Sequence, residues 1–398
     1  MLNIRHLHCA LEIKKYCNLS EAARQVHLTQ SALTQSIKKL EESIGWTLFT
    51  RSSSGMFVTP EGDVFLNRFG RAFSLLESFA TTLFSADKHG RTSFLRGVTA
   101  RQLDALVHIV ELQSYTAASV KMGLSQPTLH RTIRDLETLC QQTLFNRSPT
   151  GVEATWRARQ FSRIASLYFS ELSQGLDEVA ELNGEKLGSV RIGSLPLARS
   201  EIVPKAVLAL LEEAPGANIS IVDGPYEEQL HALLHGHIDI LVGALRFPAL
   251  SDDIEQIPLF DDYLSIVTGS HHPLAARCPL TTQDWQSLKW IAAKEGTPAR
   301  KAFGDLLQAI CPDHAYEVIE CSSLMAIRGL LINSDRAAIL PARQVEIDVA
   351  AGLLAVNPTP LNDAPRQIGF TLRKNWQPTR LQKEFLDHLR AKIEEFGK

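Results

Sequence analysis

Residues 29–41 read TQSALTQSIKKLE, and residues 125–137 read SQPTLHRTIRDLE. Each opens on a hydroxyl side chain, Thr29 or Ser125, placed to cap a helix, and continues with apolar residues at helical spacing. In the first the buried stripe is Ala32, Leu33, Ile37 and Leu40, with Gly45 as a stop. In the second, Pro127 falls in the first turn, where a missing N–H costs nothing. These stretches are the centres of a longer repeat. Residues 4–65 laid over 100–161 at a constant offset of 96, without a gap, give 18 identities in 62 positions. Average composition would give about four. The shared pairs include Arg5/Arg101, Leu7/Leu103, Ile13/Ile109, Ala22/Ala118, Leu28/Leu124, Gln30/Gln126, Leu33/Leu129, Ile37/Ile133 and Leu40/Leu136. Thr47-Leu48-Phe49 likewise recurs as Thr143-Leu144-Phe145. Most are apolar and helically spaced, so what repeats is a folded unit.

Upstream of each stretch lies a shorter helical segment, LSEAARQVH at 19–27 and TAASVKMGL at 116–124. Ser20 is placed to cap the first, and small Ala22-Ala23 face inward. Two short helices crossing on small residues form a helix-turn-helix, whose second helix lays its N-terminal polar face in the DNA major groove. The groove-facing candidates are Gln30, Ser31, Thr34, Gln35 and Lys38, and in the second copy Gln126, Thr128, His130, Arg131 and Arg134. Gln pairs bidentately with adenine and Arg with guanine, while Ser and Thr are permissive. Arg51 and Arg147 follow an apolar Leu-Phe pair, where a short wing holds a cation against phosphate. The alternative for a single copy is a helical hairpin with a solvated face. Two gapless copies with polar residues at matching positions favour DNA.

Each copy resembles the winged helix-turn-helix of LysR-type transcriptional regulators. That pattern runs paired alanines, Ser-Gln-Pro-Ala-Leu-Ser, Ile, Leu-Glu, Gly, Leu-Phe, Arg and a closing Leu-Thr-Glu-Ala-Gly. Copy one matches with AAR, TQSALTQSIKKLE, Gly45, LFTR and VTPEG at 58–62. Copy two matches with AAS, SQPTLHRTIRDLE and LFNR, but has Gln141 for the helix-ending glycine and ATWRA at 154–158 where the wing should close. The family usually carries one such module, followed by a linker helix that pairs two subunits. Here each copy is followed by an apolar helical stripe, Phe65, Phe69, Phe73, Leu76, Phe79 and Leu83, then Phe161, Ile164, Tyr168, Leu172, Leu176, Val179 and Leu182. We expect these two helices to pack together within one chain; the alternative is that each pairs with its counterpart in another chain. DKHGRTS at 87–93 reads as a polar tether.

From Gly188 strands alternate with helices, as in SVRIGSL at 189–195 and IDILVGAL at 238–245, which predicts a parallel sheet with right-handed crossovers. This half resembles the effector-binding domain of the same family, through GSVRIGS, IVP, HGHIDILVGAL, PLFDDYLSIVTGSHHPLA at 258–275 and ILPA at 339–342. The resemblance implies the bilobal fold of periplasmic solute-binding proteins, with ligand between the lobes. The expected fold is thus two all-α winged helix-turn-helix copies plus an α/β two-lobed effector domain. The expected division is 1–60 and 96–155 for the modules, 61–95 and 156–187 for the linkers (the first including the tether), and 188–398 for the effector domain. Within that domain, lobe I is 188–265 with 366–398, and lobe II is 266–365. Ligands of open α/β sheets bind at the carboxyl ends of strands. That rule selects Ser194, Arg199, Ser200, Tyr226, Arg246, Thr297, Arg300, Ser322 and Ser323. Hydroxyls beside arginines suit a small anionic or polyhydroxylated effector.

Composition narrows the class further. Residues 1–155 carry 17 Lys/Arg against 13 Asp/Glu, and the remainder 24 against 31, so a basic front half precedes an acidic back half. No run of 18 apolar residues occurs, and the start MLNIRHLHCALEIKKYC is unlike a signal peptide, which predicts a cytoplasmic protein with no membrane contact. Cys9, Cys17, Cys140, Cys278, Cys311 and Cys321 lack metal-ligand spacing and read as reduced thiols. No P-loop, GxSxG, HExxH or GxGxxG context appears, so no catalytic residue and no cofactor is expected. His231, His235 and His237 read as the polar side of a helix ending at Gly236 rather than a metal cluster. The expected function is sequence-specific transcriptional regulation under a small-molecule effector. The expected partners are double-stranded promoter DNA, that effector, RNA polymerase and further copies of the chain as a homodimer or homotetramer. The competing expectation is an effector-binding protein whose helix-turn-helix units serve only assembly.

Overall fold

The computed structural model describes residues 1–52, 55–148, 151–184, 188–361 and 365–396. The linker end at 185–187 therefore lies outside the described residues. In the first module α1 (Ile4–Tyr16), α2 (Leu19–Gln25) and α3 (Gln30–Ile44) precede the antiparallel pair β1 (Phe49–Ser52) and β2 (Gly55–Val58). Then come α4 (Pro60–Leu83) and α5 (Lys88–Gly97). The second module repeats the plan with α6 (Ala100–Leu112), α7 (Tyr115–Met122), α8 (Gln126–Cys140), β3 (Phe145–Ser148), β4 (Gly151–Ala154) and α9 (Trp156–Leu182).

Several local expectations are corrected here. Asn18, not Ser20, caps α2; its side chain accepts the N–H groups of Ser20 and Glu21, so Ser20 lies inside the helix. In α7 the buried small pair is Ala118 and Ser119, matching Ala22 and Ala23, while Ala117 of the AAS stretch is exposed. Gln141 takes the left-handed turn (φ 52°) that Gly45 takes in copy one (φ 82°), at a cost of about 1 kcal/mol for a side-chain-bearing residue. The departure at ATWRA leaves the two wing strands paired. Phe145 pairs with Ala154 as Phe49 pairs with Val58, and Thr155 caps α9 as Thr59 caps α4. The tether is a helix: Asp87 caps α5, and Phe94 is wholly buried against Phe79, Phe84 and Phe161. Polarity hid one apolar residue that suffices to dock a short helix.

α4 and α9 pack against each other, antiparallel. Phe79 stacks on Phe161 with ring centroids 4.3 Å apart, and Phe69 meets Tyr168 edge-on at 6.4 Å. Adding the repeat offset to one of the partners and subtracting it from the other turns the Phe79–Phe161 pair into Gly175 and Phe65, and these also face each other. A Cβ at Gly175 would lie 3.3 Å from Phe65 Cδ2 and 3.0 Å from Arg68 Cβ. A local two-fold therefore passes near Ala72 and Tyr168 and relates the two modules. Apolar residues of both modules meet in one core, while Ala105, Ile109, Ala118, Leu129 and Ile133 of the second form a smaller cluster of their own.

The back half contains β5 (Ser189–Ser194), α10 (Pro196–Ser200), α11 (Ile202–Glu213), β6 (Asn218–Asp223), α12 (Tyr226–Leu234), β7 (Ile240–Ala244), β8 (Ile254–Asp262) and β9 (Leu264–Gly269). It continues with α13 (Thr282–Ser287), β10 (Lys289–Ala292), α14 (Pro298–Ile310), β11 (Val318–Glu320), α15 (Leu324–Ile332), β12 (Arg336–Pro341), a 3₁₀ turn (Ala342–Val345), α16 (Glu346–Ala350), β13 (Leu354–Val356), β14 (Arg366–Arg373) and α17 (Arg380–Phe396). Two five-stranded sheets result, ordered β6-β5-β7-β14-β8 and β11-β10-β12-β9-β13. The expected parallel sheet is corrected to mixed sheets. β14 runs antiparallel to β7 and β8, and β9 antiparallel to β12 and β13. The chain passes from one sheet to the other through Tyr263 and returns into β14, and these crossing strands oppose the βαβ units. Each sheet is covered on both faces by apolar clusters.

The first sheet is fastened to the helix pair by buried polar groups. Arg68, 4% exposed, bonds Glu178 (2.8 Å), Glu171 (3.2 Å) and Gln174 (2.9 Å) on α9, and the backbone oxygen of Gln377 (2.9 Å). Gln174 reaches Asp239, which in turn holds Arg191 at 2.7 Å. Arg373 donates to the carbonyls of Leu233 and Ile238, and burial pushes its guanidinium down to about 10. Near α12, Glu111 of α6 meets His237 at 3.2 Å.

Candidate nucleic-acid interface and effector cleft

The helix-turn-helix geometry is built twice from the same devices. Gln30 donates its amide to Ser20 Oγ on α2 (2.6 Å), and Gln126 donates to Thr116 Oγ1 on α7 (2.8 Å). These two glutamines spend part of their donor capacity holding the turn. Glu41 Oε1 accepts the N–H groups of Leu48 (2.7 Å) and Phe49 (3.2 Å), and Glu137 does the same for Leu144 and Phe145 at the same distances. Reading the sequence for groove residues missed these carboxylates. Their signal was the shared Leu-Glu pair, which sits where a recognition helix turns into its wing.

On the exposed side of α3 lie Ser31, Gln35 and Lys38, with Thr34 half-buried. Ser31 bonds Thr29 Oγ1 at 3.0 Å, and Lys38 has Glu42 at 3.8 Å. On α8, Thr128, His130, Arg131 and Arg134 are exposed. Thr128 shares a 2.8 Å bond with Ser125, and His130 stacks on Tyr115 at 4.0 Å. Burial pushes the Tyr115 hydroxyl up to about 12, so it stays neutral beneath that imidazole. Among the described residues neither Arg131 nor Arg134 has an ion-pair partner, which leaves both cations to solvent or to a polyanion. Arg51 and Arg147 are exposed at equivalent places on the first wing strands, opposite Met56 and Val152.

The residues chosen in the back half fall into two groups, one per sheet. Ser194, Arg199, Ser200, Tyr226 and Arg246 gather beyond the carboxyl ends of the adjacent strands β5, β6 and β7. Thr297, Arg300, Ser322 and Ser323 gather beyond the adjacent parallel strands β10 and β11. Among the described residues no hydrogen bond or ion pair joins one group to the other. Each arginine already has a carboxylate: Arg199 with Asp223 (3.1 Å), Arg246 with Glu227 (3.0 Å) and Arg300 with Glu295 (3.7 Å). Arg246 also lies 4.0 Å over the Tyr226 ring. Ser200 bonds its own helix, while Thr297 and Ser323 cap α14 and α15. Ser194 Oγ, Arg199 Nε, Tyr226 OH and Arg300 Nη1 are buried without a hydrogen-bond partner among the described residues. Such groups are costly to leave unsatisfied. Gln256 was missed: it clamps the backbone of Arg246 through both N–H and C=O, from the start of β8, just ahead of the PLFDDYLSIVTG stretch.

Two helix-turn-helix heads joined to a two-sheet ligand domain define a DNA-binding regulator with a sensing body. Residues 4–63 and 100–159 each match the model of the bacterial regulatory helix-turn-helix protein, lysR family, and residues 183–394 match the LysR substrate binding domain. The chain belongs to the LysR family of transcriptional regulators, which bind promoter DNA and small-molecule effectors. It is similar to the HTH-type transcriptional regulator GalR of Pseudomonas putida, 28% identical over 371 residues, 93% of this chain and 92% of that protein. PcaQ of Agrobacterium fabrum is 27% identical over 284 residues, 70% of this chain and 90% of its own. Full-length CbnR in complex with its target DNA superposes with a TM-score of 0.52 at 21% identity, over 74% of this chain and 99% of that one. A full-length OxyR variant from Pseudomonas aeruginosa gives 0.54 at 22% identity, over 74% of this chain and 95% of its own. No described helix is long and apolar enough to cross a membrane.

Proposed function

We propose that this regulator carries a duplicated DNA-reading module and that one chain supplies what two subunits supply elsewhere in the family. The observation that carries this reading is the antiparallel α4–α9 pair, with its local two-fold between the modules. The relative PcaQ, matched over 90% of its own length, leaves about 30% of this chain unmatched, as an added module requires. Gln30, Ser31, Thr34, Gln35, Lys38 and Arg51 form one DNA face, and Gln126, Thr128, His130, Arg131, Arg134 and Arg147 the other. Ser194, Arg199, Ser200, Tyr226, Arg246, Thr297, Arg300, Ser322 and Ser323 line the effector cleft. The arginine–carboxylate pairs there favour a polyhydroxylated or zwitterionic molecule over a simple anion. Effector binding shifts the lobes or subunits, and with them DNA bending and access of RNA polymerase. The protein acts in the cytoplasm as a homodimer or homotetramer.

Neutralising the second recognition helix tests the DNA reading. Arg131→Ala is expected to cost specific binding about 1–3 kcal/mol, as loss of a bidentate base contact does. Arg134→Gln is expected to lower the salt slope of binding by about one unit, as loss of a phosphate contact does. Binding unchanged in both would favour modules that serve assembly alone. Cysteines introduced at Phe69 and Leu172 test the pairing: an intrachain cross-link is expected, and purely interchain products would overturn it.

A further inference from the structure

The framework of the two modules is the same, and their reading positions are not. α3 and α8 are both 15 residues long, both begin at a glutamine held by the preceding helix, and both are capped by a hydroxyl. Equivalent positions therefore enter a groove at the same place. At those positions Ser31 faces Pro127 across the repeat, Thr34 faces His130, Gln35 faces Arg131 and Lys38 faces Arg134. Only Gln30/Gln126 is shared, and that pair holds the turn in both copies. Gln35 suits the adenine edge, whereas Arg131 suits guanine.

A symmetric homodimer presents two chemically identical heads and so selects a palindrome. A covalent pair is free of that constraint. We infer that this chain recognises an inverted pair of half-sites with unlike base sequence, A·T-leaning under α3 and G·C-leaning under α8. The inference rests on the DNA-binding reading above and deepens it. The two heads also have fixed roles. Arg68 of α4 bonds Glu171 and Glu178 of α9 and, in the effector domain, the Gln377 carbonyl, while its counterpart in the repeat is Ile164. Glu111 of the second module contacts His237, and Arg163 of α9 reaches the Leu234 carbonyl and Asp253. Their counterparts in the repeat, Lys15 and Asn67, make no contact with the effector domain among the described residues, and α4 reaches it only at the carbonyls of Asn375 and Gln377 through Arg71 and Arg68. The effector domain thus sits toward the second module's half-site, and the operator acquires a direction.

Selection of bound duplexes from a random pool by the purified full-length protein tests this. The expected consensus has two halves in inverted arrangement that differ at the positions under α3 and α8. Gln35→Arg combined with Lys38→Arg should change one half only, moving the consensus toward a palindrome. Affinity for the wild-type operator should fall about 5–150-fold, the equivalent of one lost base contact. A palindromic wild-type consensus, or one with a single half, would overturn the inference and leave the DNA-binding reading standing. No enrichment over scrambled duplex would overturn the DNA-binding reading itself, and the inference with it. Because the wild-type selection needs no variant, a variant that folds poorly does not spoil the test.

Discussion

Glu41 and Glu137, on the last turns of their recognition helices, each gather two backbone N–H groups at the start of a wing and so fix how the wing leaves the helix. Glu137→Ala should destabilise the protein by about 1.5–3 kcal/mol, the usual worth of hydrogen bonds to a charged acceptor, as read by urea unfolding. Glu137→Gln keeps an acceptor and should lose less; equal losses would assign the effect to packing. In the effector domain, at the end of α12, His235 stacks on His231 at 3.8 Å and donates its Nδ1–H to the His231 carbonyl. Burial, with His231, His237 and Arg163 nearby, pushes it down to about 4. A histidine depressed in the folded state takes up a proton on unfolding, so its contribution is complete above about 6.5 and is lost as pH falls toward 4. Glu111, held below the usual carboxylate range by the hydrogen bond from His237, acts in the same direction at lower pH. The melting temperature should therefore fall between pH 6.5 and 4, and His235→Phe should flatten that fall. A wild-type melting temperature independent of pH over that range would contradict this.

At the scale of elements, the α4–α9 pair is decided by a few unlike contacts. Phe79 on Phe161 supplies aromatic stacking at one end, and Gly175 admits Phe65 and Arg68 at the other. Arg68→Met leaves the half-buried Glu178 and the buried Gln174 Oε1 without their shared partner and should cost about 1–3 kcal/mol, measured by denaturant unfolding. Adding Glu178→Leu should recover part of the loss, while Glu171 keeps Arg71 at 3.2 Å. The two linker helices and their apolar stripes were legible because their 3.6-residue spacing is local. Helix α5 was not: KHGRTS is polar, and the burial of Phe94 that holds it depends on Phe79, Phe84 and Phe161 arriving from elsewhere. The direction of β14 and β9 was hidden for the same reason, since an alternating apolar run reads alike in a parallel or an antiparallel neighbour.

At the scale of the molecule, the arrangement predicts stoichiometry. One chain should saturate one duplex carrying two half-sites, and titration by analytical ultracentrifugation would read it; a requirement for two chains per such duplex would argue against the intrachain pair. Arg51→Gln and Arg147→Gln should each reduce the salt slope by about one, because each removes a phosphate contact from one head. The repeat, its capping residues, its recognition helices and the switch to strand–helix alternation were all set by the amino-acid order, because each depends on neighbours within a few residues. Tertiary structure decided how the tether folds, how the sheets are mixed, and that Arg68 joins both linkers to the effector domain. It also bound Arg199, Arg246 and Arg300 to Asp223, Glu227 and Glu295. Those outcomes depend on groups brought together from distant parts of the chain, and burial, which makes their pairing matter, exists only once the chain has folded.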